Sequence, residues 1–231
     1  MKLQIQDDHN RCMLMKEDRL TLLADYHTPE PHRHIAAHLI FALGGVMRCT
    51  VTGEKVRARG ICIRAGVDHT IDTSMGMLLT MLIDPECAFY HILEEEYLGE
   101  KEYCVLPDRM IQNVQVYYRH CGSNAEELDR FVISLMNNYG DIVPVQKHLH
   151  PMTEKESRLL EKMRHFYRQI GRVGSVPQAS KDAGFSSPAH FAAACLEIFG
   201  ISIHDLLTGR RGCDVEMEVP EQGENLRGKK I

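Results

Sequence analysis

SVPQASKDAGFSSPAHFAAACLEIFGISIHDLL, residues Ser175–Leu207, decides how the rest of the chain is read. Ser175 is placed to cap a helix over Val176–Ala183, and Gly184 supplies the left-handed residue that stops it. Ser187 followed by Pro188 marks a second start, with the proline where a missing N–H costs nothing. Phe191, Cys195, Ile198 and Phe199 recur at helical spacing, so one side of this second helix is expected to be buried. Gly200 ends it, and Ser202 with Asp205 three residues on has the form of a third capped start. Two short helices meeting at a tight glycine turn have the geometry of a helix-turn-helix, with an ordinary helical hairpin as the alternative.

Upstream, Thr153 with Glu156 forms a capping box that opens a helix to about Ile170, whose inward stripe is Leu159, Leu160, Met163 and Phe166. Lys155, Arg158, Lys162, Arg164, Arg168 and the following Arg172 concentrate positive charge there. Asp141–Pro151 holds two prolines and no helical period, which predicts a linker. Glu86–Leu98, Asp108–His120 and Ala125–Tyr139 each read as helices, the last opened by Ser123 with Glu126. Its stripe of Leu128, Val132, Leu135 and Met136 is expected to pack on its own sheet or across a dimer.

Residues 1–84 read as short strands: Leu20–Ala24, His34–Leu43, Val46–Val51, Lys55–Ile63 and Leu78–Ile83, with turns at Thr52-Gly53-Glu54 and Arg64-Ala65-Gly66. The expected class is therefore α+β. A small antiparallel β-barrel or sandwich (1–84) precedes a helical packing or dimerisation segment (85–140). A linker (141–151), an all-α helix-turn-helix (152–211) and a disordered tail (212–231) follow.

Composition excludes several classes. No apolar run approaches the roughly 18 residues that cross a bilayer, and Met1–Asn10 is polar, unlike a signal peptide. The eight cysteines are scattered with no C-x-x-C pair, which points to reduced thiols in a cytoplasmic protein, a thiol sensor being the minor alternative. The net charge of −5 hides an asymmetry: Met152–Gly212 carries nine Lys or Arg against six Asp or Glu. A basic module on an acidic body fits contact with double-stranded DNA.

Gly184-Phe185-Ser186-Ser187, His190-Phe191 and Phe199-Gly200-Ile201-Ser202 together resemble the signature of AraC-type transcription regulators, in spacing as well as in residues. His32-x-His34-x-x-x-His38, the glycine turn at Gly44-Gly45 and Gly66-x-x-His69 resemble the cupin barrel, which such regulators commonly carry as a small-molecule sensor. The resemblance implies a ligand-responsive regulator, not an enzyme, that binds DNA as a homodimer through an effector-dependent change. The family usually joins two helix-turn-helix units, whereas Thr153–Arg211 has room for one with a leading helix. From Ser187 to Ile198 there is no Lys or Arg, and Ala193, Leu196 and Glu197 stand where the family tends to place basic residues. Base contact is then left to Ser186, Ser187, Ala189 and His190, with His190 equally suited to capping locally. Arg164, Arg168 and Arg172 are the candidates for phosphate.

His32, His34 and His38 share parity, so one extended strand would aim all three at one face, with His69 arriving from a turn two strands later. Up to four imidazoles are competent to hold a divalent first-row metal, to contact an organic effector, or to pack. In metal-binding cupins, residues at such positions are the ligands, often with a carboxylate where this chain has His38. Asp68 and Asp72 flank the turn, but no acid stands clearly as a catalytic base. The rival to the regulator is a metal-binding cupin protein or enzyme whose degenerate helix-turn-helix serves protein contact.

Overall fold

The structure, a computed structural model, describes residues 3–6, 12–24, 28–72, 76–122, 124–139 and 152–200. The expected linker, the third capped start, the Ser123 cap and the tail lie outside the described residues. In chain order come β1 (Leu3–Gln6), β2 (Cys12–Met15), β3 (Arg19–Ala24), β4 (Thr28–His32), β5 (Ala37–Ala42) and β6 (Met47–Val51). They are followed by β7 (Glu54–Ala58), β8 (Gly60–Ile63), β9 (His69–Asp72), β10 (Leu78–Ile83) and α1 (Ala88–Leu93), which runs on as a π turn over Glu94–Leu98. After β11 (Tyr103–Val105) the elements among the described residues are α2 (Asp108–Cys121), α3 (Ala125–Tyr139), α4 (Glu154–Val173), α5 (Val176–Asp182) and α6 (Pro188–Phe199).

The strands form two antiparallel sheets, a seven-stranded one ordered β1-β2-β3-β10-β5-β8-β11 and a four-stranded one ordered β4-β9-β6-β7. The class is α+β as expected, but the sheets stay separate, so the β unit is a sandwich and not a closed barrel. Alternation across the large sheet explains its burial. Ile40, Ala42, Ile61 and Ile63 face Met47, Cys49, Val51 and Ile71 of the small sheet. From β5, β8 and β10, Leu39, Phe41, Cys62 and Met81 face the opposite way, toward α1–α3. β5 and β10 are thus buried along their whole length, as a sheet covered on both faces must be.

The sequence predicts one strand over Lys55–Ile63, yet it breaks at Arg59 and passes from the small sheet to the large. Gly60 permits the crossing: a Cβ there would lie 2.9 Å from Ile111 Cγ1. β4 and β9 carried no clear strand signal. β4 contains Pro29 and Pro31, which an edge position tolerates, and it is an edge of the small sheet.

The stripe on α3 resolves toward its own sheet: Leu128, Val132 and Met136 are fully buried among the α1–α3 core residues. Where β2 and β3 extend past the small sheet, Met13, Met15, Leu20, Leu22 and Leu82 instead meet α4–α6, sharing one core with Leu160, Phe166, Phe191 and Phe199. The C-terminal helices are therefore built onto the sandwich rather than tethered beside it.

α3 is pinned by a buried carboxylate. Asp129, with its side chain 0% exposed, accepts from Arg19 Nε at 2.7 Å, Arg19 Nη2 at 2.8 Å and Thr21 Oγ1 at 2.8 Å, and pairs with Lys16. Burial pushes its pKa up, but the hydrogen bonds from Arg19, Lys16 and Thr21 and the charge of Arg19 outweigh it and hold the group below its ordinary value. Breaking a buried pair leaves an uncompensated charge, so Asp129→Ala should lose about 3 kcal/mol in urea unfolding. An unchanged midpoint would show that the contact is dispensable.

Candidate functional site

The four histidines meet, but not by the route that parity predicted. β4 ends at His32 in the small sheet, residues 33–36 cross the gap, and β5 starts in the large sheet at Ala37. His32 pairs across strands with His69 of β9, while His38 lies in the row Leu20–Leu82–His38–Ile63 of the large sheet. The imidazoles therefore converge from two sheets and the crossover between them. Ring centroids are 4.4 Å apart for His32–His69, 4.5 Å for His34–His38 and His38–His69, and 5.2 Å for His34–His69. One ligating atom from each of His32, His34 and His69 lies within 4.8 Å of the other two.

Two tautomers are fixed by backbone carbonyls, which only accept. His69 Nδ1 lies 2.8 Å from the Val67 oxygen and His32 Nδ1 3.1 Å from the Glu30 oxygen. Each Nδ1 therefore donates, so in a neutral ring the lone pair is on Nε2, the nitrogen buried without a partner. Nε2 of His32, His38 and His69 and both ring nitrogens of His34 are buried without a hydrogen-bond partner. Unpartnered buried nitrogens cost roughly 1–3 kcal/mol each, a penalty that a coordinated cation removes. Orientation of a ligating imidazole by a carbonyl on its other nitrogen is also how metal sites are commonly braced.

Burial, reinforced by the neighbouring imidazoles His69 and His32, drags His34 down to about 3. Burial takes His69 to about 4 against the upward pull of the Val67 carbonyl, and leaves His38 well below its ordinary value. The three are neutral at pH 7, the state in which imidazole ligates. The residues present thus fit a metal ion. An all-nitrogen set suits zinc, copper, nickel or iron and ill suits magnesium or calcium, which take oxygen.

The crossover also reaches the helix-turn-helix. Ile35 N–H donates to the Glu197 carbonyl at 3.1 Å and Ala36 N–H to the Ile198 carbonyl at 2.8 Å. Both acceptors belong to the last turn of α6, where a helix has no partners of its own for its carbonyls. Gly200, at φ 69°, closes the helix directly on His34: a Cβ there would stand 2.4 Å from His34 Cδ2. Sequence reasoning read Gly200 as a stop signal and missed its role as a contact, because its partner lies 166 positions away.

At the other end of α6 the expected turn is present. Ser187 Oγ accepts from His190 N–H at 3.1 Å, and Gly184 takes φ +86°. Lys162 donates to the Gly184 carbonyl and lies over the Phe185 ring, bracing the turn from α4. Ser186, Ser187 and Ala189 are exposed, as are Ala193 and Leu196, while His190 bonds through Nδ1 to Ser186. Arg172 is exposed near the end of α4. Arg164 and Arg168 are engaged elsewhere: Arg164 with Asp84, Glu86 and Glu161, and Arg168 with Glu17 and Glu161. Nothing local in the sequence marks Asp84, Glu86 or Glu17 as partners of that helix.

Two other features bear on ligands. A cavity of about 390 Å³, lined by Ile35, Ala65, Tyr90, Glu94, Met152 and Glu156, opens where α1 and α4 meet the sandwich. The described cysteines are free thiols, and burial pushes Cys49 and Cys195 up to about 12 and Cys87 to about 11, which leaves them poorly reactive.

No protein-family model matches the chain, and no curated protein matches its sequence. Among solved structures it is similar to the AraC-like transcriptional activator CuxR, at 8% identity over 80% of this chain and 73% of that one, TM-score 0.41. It is similar to ToxT from Vibrio cholerae O395 at 12% identity over 83% and 98%, TM-score 0.40. An RmlC-like cupin from Shewanella frigidimarina matches at 16% identity over 38% and 88%, TM-score 0.29. No helix among the described residues is long and apolar enough to cross a membrane.

The buried imidazoles set a pH dependence. Their folded pKa values lie below the unfolded value of about 6.5, so the unfolded chain binds more protons as acid is added. Metal-free protein should hold its full stability above pH 6.5 and lose it progressively as pH falls toward 4. Histidine NMR signals should show His34 and His69 neutral at pH 5.5; a protonated His69 at that pH would contradict the burial.

Proposed function

We propose that this chain is a ligand-responsive DNA-binding regulator whose ligand is a divalent first-row transition metal held by His32, His34 and His69, with His38 packed against them. The observation that carries the proposal is the contact itself: an imidazole set with unsatisfied lone pairs shares His34 with the last turn of a helix-turn-helix. When bound, such an ion supplies Lewis acidity and a cross-link between sheets, and a regulator needs the cross-link alone. His69 and His32 are oriented for it by the Val67 and Glu30 carbonyls, and the surrounding core excludes water.

On the DNA side, the exposed amino-terminal half of α6 would enter the major groove. Ser186 and Ser187 would offer hydrogen bonds there and Ala189 a methyl contact to thymine, with His190 supporting the turn. Arg172 would bind phosphate directly. Arg164 and Arg168 would do so only by exchanging their carboxylate partners for phosphates. A single unit offers about half the usual contact, so two copies on paired half-sites are expected. One observation favours the rival, a metal-binding cupin-like protein whose helix-turn-helix contacts protein: Arg164 and Arg168 of α4 are already paired with Asp84, Glu86 and Glu17.

Two measurements divide these readings. Metal analysis of purified protein, before and after EDTA and reloading with Zn²⁺, should give one ion per chain, lost in His69→Ala. Selection from random duplex DNA should enrich a paired motif, and Arg172→Ala should weaken binding uniformly and reduce the salt slope by about 1. Metal without enrichment, at low salt in loaded and stripped protein, leaves the rival. Neither metal nor enrichment removes both.

A further inference from the structure

We infer that occupancy of the imidazole cluster is transmitted through His34 to the carboxy-terminal turn of α6, so that the ion sets how firmly the helix-turn-helix is seated on the sandwich. The inference rests on the metal reading above and adds the path of regulation.

Residues 33–36 belong to neither strand, and their described contacts serve both sites. The His34 carbonyl accepts from Gly66 N–H at 3.0 Å, which holds the crossover to the turn preceding His69. The next two N–H groups, of Ile35 and Ala36, go to α6. The His34 ring, 4% exposed and unpartnered at both nitrogens, stands between His38, His69 and Gly200. A ligand–metal bond fixes an imidazole nitrogen to within a few tenths of an ångström at about 2.0–2.1 Å. A ring so fixed cannot tilt, and its Cδ2 edge is the surface on which Gly200 rests. The end of α6 then loses the freedom that an unligated ring would give it. Packing is close enough here for so small a shift to matter, since Ile35, Ile198 and Phe199 are buried in the core shared with α4.

Coupling of this kind is reciprocal: if the ion tightens the seat of α6, the seat tightens the ion. Gly200 therefore acts as a positioning residue for a metal site it does not ligate. Gly174 provides the control. It closes α4 in the same left-handed conformation, φ 62° against 69°, but a Cβ there meets nothing within 4 Å. Alanine costs the backbone similarly at either place, and only at 200 does it press on His34.

Amide hydrogen exchange by NMR on the full wild-type chain, stripped with EDTA or loaded with Zn²⁺, reads the path without any variant. Exchange at Ile35 and Ala36 should slow about tenfold or more on loading, while amides of α2 change little. In parallel, Zn²⁺ titration should show Gly200→Ala binding about tenfold or more weaker than wild type, and Gly174→Ala binding as wild type does. If Zn²⁺ binds stoichiometrically and either Ile35 and Ala36 exchange is unchanged or the two alanine variants bind alike, the coupling is wrong and the metal site stands. If Zn²⁺ does not bind at all, the site and the coupling fall together.

Discussion

Four residues that belong to no strand, Arg33–Ala36, hold the two halves of this protein together. A continuous strand would give the N–H groups of Ile35 and Ala36 to a neighbouring strand. Here they go to the carbonyls of Glu197 and Ile198, the groups that every helix leaves unsatisfied at its end. The exchange closes two open edges at once, that of a strand ending at His32 and that of a helix ending at Phe199. Because His34 lies in the same crossover, the histidines and the helix-turn-helix become neighbours by construction. A core running from Met13 and Leu22 to Phe166 and Phe199 then fixes that arrangement.

Charge follows the same logic. The sequence shows a basic C-terminal module on an acidic body, a pattern that suggests a polyanionic partner. In the fold, carboxylates of the body hold two of those cations, Arg164 and Arg168. Arg164 reaches Asp84 at 2.7 Å and Glu86 at 2.7 Å, and Lys155 reaches Glu197 at 2.7 Å within the helical module. Arg164 is 19% exposed, so its pairing is partly shielded from solvent and harder to exchange than a surface pair. Arg168, at 46%, is more readily released. Pro188, Ala189 and Ala193 of α6 stay open to solvent, while Arg164 and Arg168 of α4 are already held by carboxylates.

What was legible beforehand was local. Helices α3 to α6 announce themselves by stripes and caps: Thr153 with Glu156 forms the capping box as read, and Gly184 and Gly200 fall where left-handed residues are needed. The π turn after α1 and the short edge strands β4 and β11 left no periodic mark, since three to five residues cannot carry one. Motif spacing groups His32, His34, His38 and His69, but on the picture of a single strand with shared parity, which the fold replaces. Parity was irrelevant once the chain crossed between sheets after His32. Contacts that join distant segments, such as Gly200 on His34, Arg164 on Asp84, and Asp129 on Arg19, follow from how the layers stack. No window of sequence contains both partners.

In the function proposed above, imidazoles from two sheets and the crossover between them hold one ion at the seam with α6. X-ray absorption at the zinc K-edge, on full-length protein reloaded after EDTA, tests it most directly. The account predicts a first shell of nitrogen at about 2.0–2.1 Å with the multiple-scattering pattern of at least three imidazoles. A shell made of sulfur, or of oxygen without imidazole scattering, would place the ion elsewhere and contradict it.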